Sequence, residues 1–139
     1  MPLSTLTTDY KGKNMTQIKL QGGFDELALL EFFCEEPKIS QPSDGYWCYE
    51  VTDPLGVTLK FGINIIQESV QIELKITDLT VGIMCFELVK SIEITDYING
   101  KLEFSVAPEN EEFQTLVQVE LRPRIKVDCS TLSLCPIAV

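Results

Sequence analysis

Val57-Thr58-Leu59-Lys60-Phe61-Gly62-Ile63-Asn64 and Val70-Gln71-Ile72-Glu73-Leu74-Lys75-Ile76-Thr77 decide the fold class. In both stretches apolar and polar residues alternate strictly, the period of a strand with one face on a core and one face in water. Only five residues, Ile65–Ser69, lie between them, with the break around Gln67 and Glu68, too little chain for a crossover helix, so the two strands must be antiparallel neighbours.

The same period extends outward in both directions. Upstream, Tyr46–Thr52 is aromatic and β-branched, and Asp53-Pro54-Leu55-Gly56 supplies a turn with proline at its second position. Downstream, Leu79–Phe86 is almost wholly apolar with Gly82 in its middle, as a strand covered on both faces or a strand with a bulge would be. Lys90–Tyr97 alternates through Ile92 and Ile94. Asn99-Gly100 is a type I′ hairpin signal, and Leu102, Phe104 and Val106 resume beyond it. After the acidic stretch Pro108–Glu112, Val117, Val119 and Leu121 share one face. Pro123 puts the final strand, Ile125 and Val127, at an edge or a bend. About eight strands joined by short connections predict a mainly β fold, an antiparallel sandwich or a strongly curled sheet.

One segment breaks the period. Asp25–Glu36, closed by Pro37, repeats apolar residues at Leu27, Leu30, Phe33 and Cys34, the spacing of a helical face, with Asp25 as N-cap. One short helix packed on the sheet is expected. Before it, Thr16–Leu20 turns extended until Gly22-Gly23 breaks it, and Gln21-Gly22-Gly23-Phe24 reads as an ordinary strand-to-helix turn rather than an anion cradle. Residues 1–15 read as a loose arm, residues 16–130 as a single domain, and residues 131–139 as a tail.

The 139 residues carry 21 acids against 11 basic residues and no histidine, a formal charge of −10. Such a chain repels phosphate backbones and anionic membrane surfaces, so neither nucleic acid nor membrane is an expected partner. No apolar run approaches the roughly 18 residues a membrane span needs, and no secretory leader is visible, so a cytoplasmic protein is expected. Without histidine, Ser-His and Cys-His nucleophiles and the common zinc hydrolases are excluded. Walker-type and G-x-S-x-G motifs are missing as well. The five cysteines lack metal-ligand spacing; Cys34 and Cys85 sit in apolar runs and read as small buried hydrophobes. No enzyme activity, metal or cofactor is expected.

The acids are unevenly placed. Residues 21–50 hold seven against Lys38, a net of −6, and residues 101–121 hold five against Lys101, a net of −4. Next to the first block lies the only dense aromatic cluster, Tyr46, Trp47 and Tyr49. Aromatic anchors beside charge mark binding surfaces, although Trp and Tyr also cap cores. The candidate partner-binding residues are therefore Glu35, Glu36, Asp44, Trp47 and Tyr49, with Glu109, Glu111 and Glu112 as a second patch.

A small acidic chain without catalytic side chains reads first as an inhibitor or immunity-type protein that neutralises a basic partner, such as a nuclease toxin. That likeness is one of size and charge. The alternatives are a β domain holding a small apolar ligand, motivated by Leu79–Phe86, and a structural subunit in which a sheet edge pairs with its twin, making a homo-oligomer.

Overall fold

A computed structural model describes residues 15–108 and 112–133, and the expectations for residues 1–14, for Glu109 and Glu111, and for residues 134–139 fall outside them. Two antiparallel five-stranded sheets face each other. The first joins β1 (Thr16–Lys19), β7 (Ser91–Asp96), β8 (Lys101–Val106), β9 (Phe113–Glu120) and β10 (Lys126–Ser133), in that order. The second runs β2 (Ile39–Gln41), β3 (Tyr46–Thr52), β4 (Val57–Asn64), β5 (Ser69–Ile76) and β6 (Leu79–Phe86). A single helix, α1 (Glu26–Phe33), carries the chain from β1 in one sheet to β2 in the other.

Of the two expected arrangements the fold is the antiparallel sandwich, with one short helix among the described residues. It has ten strands among the described residues rather than about eight, because β1 and β2 are four and three residues long, too short to show a period.

Alternation does what it promised. Leu59, Phe61 and Ile63 of β4 and Val70 and Ile72 of β5 are buried, as are Ile92, Ile94, Leu102, Phe104, Val117 and Val119 of the opposite sheet. Aromatic contacts bind the layers: Phe104 meets Phe61 at 6.3 Å and Phe86 at 5.5 Å, both edge-on.

Asp53 is a second tie between the sheets. Its Oδ1 accepts from Leu55 N and Val57 N, both at 2.9 Å, closing the β3–β4 turn, and its Oδ2 accepts from Ile125 N at 2.8 Å, just before β10. Burial alone would raise this carboxyl, but the backbone N–H groups of Ile125, Val57, Leu55 and Gly56 hold it below the ordinary carboxylate range.

Four expectations need correction. The buried face of α1 is Ala28, Leu29, Phe32 and Phe33, while Leu27 is 62% exposed. The helix is apolar over more than one stripe, and the core takes the one carrying both phenylalanines. Phe33 stacks on Tyr49 at 4.7 Å and meets Phe61 at 5.6 Å. Leu79–Phe86 is not covered on both faces, and of its two readings the bulged strand holds: β6 is an edge strand whose Leu79, Val81 and Ile83 are exposed, and its pairing with β5 slips between Leu74 and Lys75, leaving Val81 as the extra residue. Cys34 and Cys85 are exposed, the first because the helix ends before it in a left-handed cap, the second because it faces outward on that edge. The β7–β8 connection is no type I′ turn, since Gly100 has positive φ (70°) but Asn99 does not. The Asp96 carboxylate accepts from Ile98 N and Asn99 N and builds a longer turn instead.

Candidate functional site: an acidic groove beside the helix

The helix is stabilised at its start and strained at its end. Asp25 caps it, with Oδ1 accepting from Ala28 N at 3.1 Å. Glu26 lies in the first turn, where the dipole favours it, whereas the last turn and the C-terminal exit carry Glu31, Glu35 and Glu36 with no basic residue. Carboxylates near a helix C-terminus face the negative end of its dipole, a cost of roughly 0.3–1 kcal/mol each. Among the described residues the recorded ion pairs are Lys60–Glu73 and Lys90–Glu68, and none neutralises these acids.

Between α1 and β2 runs a groove of about 580 Å³. Asp25, Glu26 and Glu36 supply its charge; Phe24, Leu27, Leu30 and Pro37 form apolar walls; Tyr49 lies at its floor. Leu27 and Leu30, which the helical spacing assigns to the core, line this groove instead.

Two buried aromatic residues organise it. Trp47, 4% exposed, donates its indole N–H to Glu26 Oε2 at 2.8 Å and packs against Phe24 at 4.7 Å. Tyr49, 1% exposed, has its hydroxyl pushed up to about 12 by burial and by the charges of Glu26 and Glu36, so it stays protonated at neutral pH.

Of the sequence-derived candidates, Glu36 and Tyr49 line the groove. Glu35 is exposed between the helix end and Glu36. Trp47 and Tyr49 are not surface anchors, as an outward-facing aromatic pair would be. They lie on the inner face of β3 because its outer face holds Tyr46 and Cys48, whose neighbour across the ladder is Gly62. A Cβ at Gly62 would come within 2.9 Å of the Tyr46 hydroxyl, so that ring lies across the bare glycine. Cys48 is buried there, and burial foremost pushes its thiol above the ordinary range, so it is not an activated nucleophile.

Asp44 is exposed beyond the far end of β2 from Glu36, in a 3-10 turn over Pro42–Asp44. Glu112, of the second patch, is exposed at the start of β9 in the other sheet. Sequence reasoning missed Asp25, Glu26, Phe24, Leu27 and Leu30. The one available signal was the excess width of the helix's apolar surface, more than a single core-facing stripe requires.

No helix among the described residues is long and apolar enough to cross a membrane. No known family profile and no curated protein matches the chain. The fold itself is shared with a solved structure. A chain in the structure of the contact-dependent growth inhibition toxin–immunity protein complex from Klebsiella pneumoniae 342 superposes with a TM-score of 0.73 at 18% identity, over 83% of this chain and 100% of that one. The β-sandwich described above is thus one that a component of a toxin–immunity complex also adopts.

Proposed function

We propose that this chain is a protein-binding module of the immunity type, which acts in the cytoplasm by covering the working surface of a basic protein partner. The observation that carries this reading is the set of unneutralised carboxylates on and after α1, flanking a groove with apolar walls. Glu31, Glu35 and Glu36, placed against the dipole and without cations, lower the stability of the free protein, and a cationic partner turns that cost into binding energy. The fold shared with a component of a toxin–immunity complex supports the same reading. A basic nuclease offers the matching surface, because a site built for phosphates is complementary to a row of carboxylates. Neutralisation of this kind works by occupancy and long-range attraction, and it asks no catalysis of a chain without histidine. The enclosed apolar-ligand alternative loses its motive, since the run Leu79–Phe86 is an edge strand rather than a strand buried on both faces.

The test begins with capture of a partner from host lysate on the immobilised protein, eluted by a salt gradient. The association rate of the identified partner is then measured against ionic strength. For Glu35→Lys/Glu36→Lys the expectation is association about tenfold or more slower at low salt, converging with the unaltered protein at high salt. Rates that match at every salt concentration, or a partner whose own activity is untouched by stoichiometric protein, would refute the proposal.

A further inference from the structure

We infer that the groove between α1 and β2 is a subsite for one cationic side chain, an arginine or lysine of the protein partner, held between the carboxylates of Glu26 and Glu36 and over the hydroxyl of Tyr49. The inference deepens the reading above and rests on it. It does not stand on the acidic cluster alone.

Tyr49 is 1% exposed, yet among the described residues its hydroxyl makes no hydrogen bond, and the sliver it exposes opens into the groove. No buried side-chain polar atom among the described residues lacks a partner, so this hydroxyl is the part of an otherwise buried side chain that reaches the groove, where it can meet a ligand atom. Glu26 is already aimed. The Trp47 indole holds its Oε2 at 2.8 Å, which leaves Oε1 for an incoming donor. Trp47 is itself fixed by burial and by Phe24, so this carboxylate needs little reordering on binding.

The walls fit the rest of such a side chain. Leu27, Leu30 and Pro37 offer apolar surface to a methylene stem, while the charged head reaches two carboxylates and a phenol oxygen. Anions would be repelled by Asp25, Glu26 and Glu36. A wholly apolar ligand would strip those carboxylates of water and return nothing.

The sequence contains a single tryptophan, so Trp47 reports on this groove by its fluorescence. The first probe is N-acetyl-arginine amide, with the isosteric and uncharged N-acetyl-citrulline amide as its control. Arginine amide is expected to give a saturable Trp47 response in the millimolar range, with citrulline amide about tenfold weaker or silent. Tyr49→Phe and Glu36→Gln, each the mildest removal of one contact, are expected to weaken the response about tenfold and to raise the captured partner's dissociation rate by a similar factor. Thermal unfolding close to the parent's confirms that both variants fold. Equal responses to the two amides, or variants that leave both the response and partner dissociation unchanged, would overturn the subsite. A partner that still binds with steep salt dependence in that case leaves the protein-binding reading standing.

Discussion

Replacing Asp53 by alanine removes one carboxylate that serves three backbone N–H groups across the two sheets. The amide of Leu55 lies in an exposed turn, its residue 70% exposed, and recovers a water, so its loss counts for little. The amides of Val57 and Ile125 belong to half-buried residues at 2.9 and 2.8 Å from the carboxylate. Hydrogen bonds to a charged acceptor are worth about 1.5–3 kcal/mol each, so Asp53→Ala should cost about 3–5 kcal/mol. Against the roughly 5–15 kcal/mol of a whole domain, that is a lowering of Tm by about 10–15 °C. Asp53→Asn keeps one oxygen but turns an NH₂ towards a backbone donor, and should lose about half as much.

Thermal unfolding followed by circular dichroism at pH 7 measures both. The pH dependence checks the cause. Because the folded carboxyl titrates below its unfolded value, its contribution is fully present above roughly pH 4 and fades as pH falls through the folded pKa. The parent and Asp53→Ala curves should therefore converge in acid. A difference in Tm below about 3 °C at pH 7, or a difference that does not shrink at low pH, would refute the argument that this one side chain joins the sheets.

At the other end of the pH scale, Tyr49 titrates near 12 in the folded protein against 10.0 when exposed, so stability should decline as pH rises between those values, and Tyr49→Phe should flatten part of the decline. Glu31→Gln/Glu35→Gln should raise Tm by a few degrees, since it removes charge from the wrong end of the helix dipole, and a lowered Tm in differential scanning calorimetry would contradict the strained-terminus account. β6 carries none of the lysines or prolines that usually guard an edge, so the protein should self-associate at high concentration; Val81→Lys should keep it monomeric in sedimentation velocity, and identical profiles for the two would show that the edge is silent.

How much of this was legible depends on how far each feature rests on its own residues. Strands β4 and β5 declared themselves because eight residues of alternation fix both the extended backbone and the buried face. Thr16–Leu20 reads as extended and holds β1, but its pairing is owed to β7 far along the chain, and β2 did not declare itself, because three residues hold no period. In α1 the spacing identified a helix but not its rotation, since Leu27 and Leu30 compete with Leu29, Phe32 and Phe33, and only the aromatic stack on Tyr49 decides between them. β6 looked doubly buried because an apolar strand reads alike whether its second face meets a core or water. Only Glu36 and Tyr49, two of the nine residues that line the groove, could be found from charge and aromaticity. The rest is a space between a helix and a three-residue strand, and no single stretch of sequence encodes it.

The order of strands also bears on how the chain reaches its fold. Every pairing within β2–β6 and within β7–β10 joins strands adjacent in sequence, and only β1 pairs at long range, Thr16 with Ile94. The chain is therefore two meanders of low contact order, each able to zip by short loops, and one late closure that brings β1 to β7 with α1 between them. Substitutions such as Ile72→Val within the second sheet should slow folding, whereas Ile18→Val in β1 should act almost wholly on unfolding. A φ-value at Ile18 as high as that at Ile72 would place the closure in the nucleus instead. In the expected order, the acidic groove is among the last parts of the molecule to exist, because it forms only when the helix has docked on Tyr49 and Phe61 of a sheet already made.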